Sequence, residues 1–299
     1  MKRDKSAVFY KIYNNLGISG IPYRQKERGD GVYYGPDAVL GEDFLKGFPA
    51  RAVYSYSFPK SGETDKKDVF AVFASESKKC ADKILSGLRE GDTLFAVGGD
   101  NSIVFPVLLS DIGRFGIKNI GILFFDTHGD IHARSTSPSG NFHGMYLRPF
   151  FDRFDAPEID KLVPEKLTGN DIVYFGGGFE HEKEEEEFIE RLRIKRFSKN
   201  EIRNDSGMVK KELNDFLNAH PHAHINFDID VFDESLVWAT GMPSKEGLLE
   251  NDVFPLLEII SRHPSKTVTL SELNPEKKGR DEAVKVAREV LTALRGGKN

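Results

Sequence analysis

Cysteine is nearly absent from this sequence, and it has neither a long apolar run nor an excess of basic residues. The single Cys80 among 299 residues excludes an intramolecular disulfide and a metal site made of several cysteines. No apolar run approaches the roughly 18–20 residues that span a bilayer, and no apolar signal stretch follows the charged start at Met1. A net charge of −5, with Lys and Arg scattered, argues against a nucleic-acid partner. The sequence therefore predicts a cytoplasmic protein that binds neither membranes nor nucleic acid.

From about Arg51 onward, short β-branched or aromatic runs alternate with segments of helical period. The predicted strands are Ala52–Phe58, Thr93–Val97, Ile120–Phe125, Ile172–Phe175, Ile194–Phe197, Ala223–Phe227 and Thr267–Leu270. The predicted helices are Ser75–Glu90, Ser102–Asp111, Gly207–Ala219, Asn251–Arg262 and Asp281–Arg295. Such alternation is typical of right-handed βαβ units, so we predict an α/β fold: three α/β/α layers around a mainly parallel, doubly wound sheet.

Acidic motifs follow four of the predicted strands at the point where each strand ends. They are Gly98-Gly99-Asp100-Asn101-Ser102, Asp126-Thr127-His128-Gly129-Asp130, Asp228-Ile229-Asp230 and Ser271-Glu272-Leu273-Asn274-Pro275. Ligands of an open parallel sheet bind in the crevice outside the carboxyl ends of its strands, so the motifs should meet in one cleft of a single domain, residues 1–299. So much buried negative charge is tolerable only with cations bound among it. The sequence therefore predicts a metal-dependent enzyme.

The acids alternate within two of these motifs. On a continuing strand, Asp126, His128 and Asp130 would share one face, and Asp228 and Asp230 would do the same on another strand. Oxygen-rich sites with one or two imidazoles suit Mn²⁺, and more generally Mg²⁺, Mn²⁺ or Zn²⁺. The ligands suffice for two ions, and ions about 3.5–4 Å apart can share a hydroxide that acts as the nucleophile at neutral pH.

In their order along the chain, the four motifs resemble the four signatures of the ureohydrolases, the superfamily of arginase, agmatinase, guanidinobutyrase and formiminoglutamase. The likeness runs from about Gly31 to the C-terminus, and Ser139-Gly140-Asn141-Phe142-His143 adds a fifth, arginase-like match. Members hydrolyse guanidino or formimino groups with a pair of Mn²⁺ ions. The resemblance therefore implies a C–N hydrolase in which a metal-bridging hydroxide attacks the amidine carbon of a small cationic substrate. It also implies a homo-oligomer, either a trimer or a hexamer.

The resemblance further implies a set of metal ligands. They are Asp126, His128, Asp130, Asp228, Asp230 and, as a weak or absent ligand, Asn101. The first acids of two motifs, Asp126 and Asp228, would bridge both Mn²⁺ ions. The family has histidine where this chain has Asn101, and an amide is a poorer ligand than imidazole for a transition ion. One of the two Mn²⁺ positions is therefore predicted to be weakened.

Catalytic and substrate-binding roles follow from the same resemblance. Asp130 would hold the hydroxide, His143 would carry protons to the leaving amine, and Glu272 would pair with the guanidinium. The positions implied to bind the substrate are Ser139, Asn141, His132 and His181. The first two face the carboxylate end of the substrate in arginases, which favours an ω-guanidino or formimino acid over agmatine. His132 stands where arginases contact the amino-acid head of the substrate, and His181 or a neighbouring glutamate stands where they place an acid against the α-amino group. Arginine itself therefore does not follow, and His132 equally fits a partner behind the ligands.

Two alternatives remain open. The first is a metal-poor pseudoenzyme or regulatory subunit of the same fold, because Asn101 replaces a ligand histidine. Five of the six ligand positions are retained, which favours the active enzyme. Deacetylases of a related fold use one Zn²⁺ for amide hydrolysis, but the pair Asp228 and Asp230 and the Glu272-Leu273-Asn274-Pro275 motif favour the ureohydrolase interpretation.

Other conspicuous residues have plainer interpretations. His220, His222 and His224 are predicted to lie at the surface or at the start of a strand rather than on a metal. The acidic run Glu184–Glu187 fits a solvated helix face, and the alternative is that one of its acids reaches the substrate. Cys80 fits the core-facing side of its helix.

Overall fold

The computed structural model describes residues 6–14, 30–59, 69–179 and 181–296. Its strands are β1 (Ala7–Tyr13), β2 (Ala52–Ser57), β3 (Thr93–Gly98), β4 (Ile120–Phe125), β5 (Ile172–Gly176), β6 (Lys195–Ser198), β7 (His222–Asp228) and β8 (Lys266–Ser271). They form one sheet in the order β2-β1-β3-β8-β7-β4-β5-β6, and every neighbouring pair is parallel. The four strands that precede the acidic motifs, β3, β8, β7 and β4, are therefore consecutive neighbours at the centre of the sheet.

Helices cover both faces of this sheet. They are α1 (Gly35–Val39), α2 (Glu42–Gly47), α3 (Val69–Gly87), α4 (Val104–Phe115), α5 (Arg148–Phe151), α6 (Pro157–Asp160), α7 (Lys183–Leu192), α8 (Lys199–Asn204), α9 (Ser206–Ala219), α10 (Glu250–Ser261) and α11 (Arg280–Arg295). Successive strand residues point to opposite faces. Phe125 accordingly belongs to one buried cluster with Leu257 and Leu291, whereas Phe124 belongs to the other with Ile84 and Val107. This arrangement confirms the predicted three-layer α/β/α fold.

The register of the central strands brings their carboxyl ends level. Val97 pairs with Leu270, Leu270 with Phe227, and Phe227 with Phe125. Each of these residues stands at or next to the last residue of its strand. The chain segments that follow the four strands therefore start side by side along one edge of the sheet.

The structure adds elements that the pattern analysis missed and confirms others. β1 lies before Arg51, where no alternation was predicted, yet it pairs with both β2 and β3. The predicted strands and helices are present, with ends shifted by up to six residues: the helix predicted to begin at Ser75 begins at Val69. Cys80 is fully buried, as predicted. Among the described residues no helix is long and apolar enough to cross a membrane.

Candidate metal centre and active site

The neighbouring strands β4 and β7 both lead into the same kind of turn. The Asp126 Oδ1 atom accepts a hydrogen bond from the His128 amide at 2.7 Å, and the Asp228 Oδ1 atom accepts one from the Asp230 amide, also at 2.7 Å. An aspartate that binds the amide two residues further on makes an Asx turn. The turns occupy one oxygen of each carboxylate and leave Oδ2 available for other partners.

The acids converge through these turns and not through a continuing strand. β4 ends at Phe125, before its motif begins, and Asp230 lies in a 3₁₀ turn, Ile229–Val231. Asp130 adopts a left-handed backbone with φ of +50°. The prediction that these acids lie on continuing strands, where alternate side chains share one face, was therefore wrong about the backbone conformation. The strand-end turns bring the same side chains together instead.

Asp126, His128 and Asp230 form a compact group at this edge. Each offers one possible ligand atom, and these atoms lie within 4.8 Å of one another. His128 Nδ1 is 3.4 Å from Asp126 Oδ1 and 3.2 Å from Asp230 Oδ2. The other Asp230 oxygen, Oδ1, is buried and has no hydrogen-bond partner among the described residues. A carboxylate oxygen left in this state has capacity for a cation.

Asn101 occupies the centre of the carboxylate cluster. Its Nδ2 atom donates to Asp228 Oδ2 at 2.6 Å and to Asp130 Oδ2 at 2.8 Å, and it lies 3.4 Å from Asp126 Oδ2. Its Oδ1 atom accepts a hydrogen bond from the Ser271 hydroxyl. The amide thus presents donors to the carboxylates, and its carbonyl oxygen is directed to Ser271.

Burial without enough positive charge perturbs the ionisation of the cluster. Burial, with the charge of Asp230 added, raises the pKa of Asp126 to about 7. Burial and the neighbouring carboxylates also hold the pKa values of Asp130 and Asp228 well above the ordinary aspartate value. Burial opposes protonation of His128, but Asp230 and Asp126 outweigh it and raise the His128 pKa well above its usual value. A bound cation would reverse these shifts by stabilising the carboxylates.

Glu272 and His143 lie at the margins of the same cleft. Glu272 Oε1 accepts a hydrogen bond from the backbone N–H of Asn101 at 2.8 Å. Burial, and after it the charge of Asp100, raises the pKa of Glu272 well above its normal value. His143 sits in a 3₁₀ turn, Phe142–Gly144, which packs against the turn that begins at Asn101. Burial lowers the pKa of His143, which favours the neutral imidazole.

The four positions implied to bind substrate differ in their surroundings. Ser139 is exposed, and its Oγ atom accepts a hydrogen bond from the amide of Asn141, whose own Oδ1 is buried and lacks a partner within the described chain. His132 Nε2 lies 3.2 Å from Glu185 Oε2. His181 Nδ1 lies 3.0 Å from Glu186 Oε2, and its ring is almost fully buried. Both histidines thus pair with acids of α7.

The plainer interpretations were only partly right. His220, His222 and His224 are buried and not at the surface, although His222 does begin β7. Within the run Glu184–Glu187, Glu185 is only 3% exposed and points inward, so this part of the helix face is not solvated.

Sequence reasoning missed the residue that supports the Asp100 turn. Asn14, directly after β1, donates from Nδ2 to Asp100 Oδ1 and to Ser102 Oγ, both at 2.6 Å, and accepts from the Gly99 amide at 3.1 Å. Asp100 also accepts from the Ser102 amide at 2.9 Å, so it orients the backbone next to Asn101. The mostly apolar run Ala7–Tyr13, followed by the polar Asn14, is the signal from which this strand end could have been predicted.

Fold and site together define an α/β enzyme with an acidic cleft at the carboxyl edge of a parallel sheet. The Arginase family model matches residues 14–295, and the chain belongs to this family of hydrolases that act on the C–N bonds of amidines. The arginase of Bacillus subtilis (strain 168) is 24% identical over 298 residues, which cover 95% of this chain and 98% of the relative. The mitochondrial arginase-2 of Bos taurus is 25% identical over 286 residues, which cover 90% and 80% of the two chains.

Solved structures of the family share the fold. The arginase of Entamoeba histolytica in complex with L-ornithine has a TM-score of 0.83 at 22% identity, covering 98% of this chain and 99% of the other. Formimidoylglutamase from Bacillus subtilis has a TM-score of 0.73 at 16% identity, covering 98% and 87%. Arginases and a formimidoylglutamase thus share this fold, and the fold by itself does not select a substrate.

Proposed function

We propose that this protein hydrolyses a linear guanidino or formimino compound, with a preference for a substrate that carries a carboxylate. The observation that carries the proposal is the convergence of five potential ligands, Asp126, His128, Asp130, Asp228 and Asp230, at the carboxyl ends of adjacent strands. The motif order and the family membership support it, since family members act on amidine C–N bonds.

The residues present fit one divalent cation well and a second one less well. Asp126, His128 and Asp230 offer grouped donor atoms, and the unpartnered Asp230 Oδ1 adds capacity for an ion. Around Asn101 the fit is poorer, because an amide nitrogen and not a ligand atom faces Asp130 and Asp228. We therefore propose two Mn²⁺ positions of unequal strength. The ions would supply Lewis-acid activation of water at neutral pH.

The protein's own side chains would orient the substrate and move protons. Glu272, on the edge of the cleft beside Asn101, would pair with the cationic guanidino or formimino group. Asp130 would accept a hydrogen bond from the attacking water, and neutral His143 would serve as the proton carrier to the departing nitrogen. Ser139 and Asn141 would bind the carboxylate tail through their hydroxyl and side-chain NH₂ donors. Asn141 Oδ1 is buried and has no partner among the described residues, so this side chain still has unused hydrogen-bonding capacity.

A metal-poor pseudoenzyme is the second candidate, and Asn101 is the observation that favours it. An amide that donates to two carboxylates stabilises them by hydrogen bonds, so the cluster depends less on a second cation. By the family resemblance we also propose a trimer or hexamer, and from the single cysteine we propose a reducing, cytoplasmic setting.

A product-release assay tests the proposal. The purified protein with Mn²⁺ present is offered arginine, agmatine, ω-guanidino acids and a formimino amino acid, and urea and formamide release are measured. Release from one class that depends on Mn²⁺ supports the hydrolase. No release from any compound, with metal content well below one ion per chain, would favour the pseudoenzyme.

A further inference from the structure

The backbone carbonyls of the segment that carries Asp130 accept hydrogen bonds from other parts of the protein. The Gly129 carbonyl accepts a hydrogen bond from the Tyr174 hydroxyl at 2.9 Å, and the Asp130 carbonyl accepts one from the Leu147 amide at 3.2 Å. The Ile131 carbonyl accepts one from Arg148 Nη1 at 2.9 Å. Three consecutive carbonyls are therefore held by β5 and by the chain around α5.

The same segment is held on its amide side by one residue of α7. Glu185 Oε1 accepts a hydrogen bond from the Ile131 amide at 3.1 Å, and the side chain is 3% exposed. Its second oxygen, Oε2, accepts from the Glu182 amide at 3.3 Å and lies 3.2 Å from His132 Nε2. Both carboxylate oxygens are therefore used, and each faces at least one N–H donor.

The contact between Glu185 and the segment is close. A Cβ atom at Gly129 would lie 2.8 Å from Glu185 Oε1, so the carboxylate packs directly against this glycine. Next to it, Asp130 keeps a left-handed backbone, which a non-glycine residue maintains only when its surroundings hold it. The hydrogen bond to the Ile131 amide acts on the peptide unit that directly follows this strained residue.

We propose that Glu185 is a positioning residue that holds the Asp126–Ile131 segment in the conformation in which His128 and Asp130 face the cation site. The inference rests on the proposed function insofar as those side chains bind Mn²⁺. Glu185 acts through the backbone, and its carboxylate lies behind the segment with α7. The position of α7 would then set how well the ligands are aligned.

The chemistry of the contact explains why a carboxylate is required. Both oxygens receive hydrogen bonds from backbone amides, so a glutamine at this position would place its NH₂ group against one of them. Glu185→Gln can keep the bond to Ile131 only by giving up the one to Glu182. Glu185→Ala removes both and opens space beside Gly129. The neighbouring Glu187 is a matched control, since it lies on the same helix but is 65% exposed, with Lys183 as its partner.

The test compares Glu185→Ala, Glu185→Gln and Glu187→Ala with the natural protein. Mn²⁺ affinity is measured by titration calorimetry on folded, metal-free protein, and exchange of the Ile131 amide hydrogen is followed in the same state. Loss of an outer partner of metal ligands commonly lowers metal affinity about 10–100-fold, and we expect Glu185→Ala to fall in that range. Glu185→Gln should lose less affinity, and Glu187→Ala should match the natural protein. The Ile131 amide should exchange fastest in Glu185→Ala, less fast in Glu185→Gln, and at the natural rate in Glu187→Ala. Turnover of every substrate should fall through kcat, with the ratios between substrates unchanged.

A purely structural role would give a different result. If Glu185→Ala lowered only the unfolding temperature, and the folded protein kept its Mn²⁺ affinity and slow Ile131 exchange, the positioning role would be overturned. Failure of the natural protein itself to bind Mn²⁺ would count against the proposed function instead. In that case Ile131 exchange alone decides whether Glu185 holds the segment.

Discussion

Asn101 is the residue that sets this site apart from the pattern it resembles. Its amide donates to the carboxylates and its carbonyl accepts from Ser271. To bind a cation, the amide must turn its oxygen toward the cluster. Ser271 can follow this turn, because a hydroxyl both donates and accepts hydrogen bonds. The position is therefore able to take an ion, but it must first break two hydrogen bonds to carboxylates.

We expect the two metal positions to differ in affinity for this reason. After dialysis against a moderate chelator, the natural protein should keep about one ion per chain and regain activity with excess Mn²⁺. Asn101→His should keep nearer two ions and reach half-maximal activity at an Mn²⁺ concentration lower by roughly 10-fold or more. Metal content is measured by mass spectrometry, and Asn214→His on the exposed face of α9 is the control. Two ions kept equally tightly by the natural protein would contradict this prediction.

The two Asx-turn aspartates should be indispensable for turnover. Asp126→Asn and Asp228→Asn preserve shape but remove charge from the carboxylates expected to bridge the ions, so both should abolish activity and reduce metal content. His222→Ala serves as the contrast, since His222 begins β7 at the opposite end of that strand and stacks on Phe115 with ring centroids 3.9 Å apart. It should lower stability and leave metal content intact. Similar metal loss in all three variants would mean that the ligands have been assigned incorrectly.

Substrate preference should depend on the Ser139 region. A hydrogen bond to a charged carboxylate contributes about 1.5–3 kcal/mol, or about 10–100-fold in binding. An ω-guanidino or formimino acid should therefore be hydrolysed with higher kcat/KM than agmatine, and Ser139→Ala should reduce that preference. His143→Ala should slow every substrate alike, because it serves the leaving group and not the tail. If agmatine were the best substrate and Ser139→Ala changed nothing, the carboxylate-binding role would be wrong.

At the scale of elements, β7 and α4 are joined by a buried polar pair far from the acidic cleft. His224 Nδ1 lies 2.7 Å from Asp111 Oδ2, and Asp111 Oδ1 accepts a hydrogen bond from the Thr267 hydroxyl at 2.8 Å. Burial lowers the pKa of His224 even though Asp111 opposes that shift. The histidine therefore stays neutral in the folded protein at pH values at which it is partly protonated when unfolded.

This pair makes part of the stability depend on pH. Just below the ordinary histidine pKa of about 6.5, the unfolded chain binds more protons at His224 than the folded chain does, so stability falls as pH falls. One such group contributes a slope of at most about 1.4 kcal/mol per pH unit. We expect His224→Gln to reduce the fall in unfolding free energy between pH 7 and pH 5.5, measured by urea denaturation. An unchanged pH slope would show that His224 is protonated equally in both states.

At the scale of the whole molecule, one sheet explains how distant motifs form one site. The eight strands of the described residues form a single sheet, and one domain over residues 1–299 stays a prediction. The sequence predicted seven of the strands because each is a short β-branched or aromatic run. It missed β1, whose run lies near the start of the chain. It predicted the acidic cluster because acids at the ends of parallel strands must share one edge of the sheet.

Contacts between segments that are distant in the sequence could not be predicted from the sequence. Glu185 and Ile131 are 54 residues apart, and His224 and Asp111 are 113 apart. Nothing local distinguishes Glu185 from its acidic neighbours, because only the packing of α7 decides which carboxylate turns inward. The burial of His224 likewise depends on α4 crossing the face of β7.

The sequence by itself determined the fold class, the family resemblance and the side chains that collect at the sheet edge. Strand periodicity and the residues directly after each strand are local properties, so they can be read from the sequence without the fold. Tertiary structure decided how those side chains meet. Asx turns and a left-handed Asp130 direct the carboxylates, and the Asn101 side-chain amide donates to Asp228, 127 residues away. These outcomes depend on hydrogen bonds between distant segments, which exist only once the sheet and its helices have assembled.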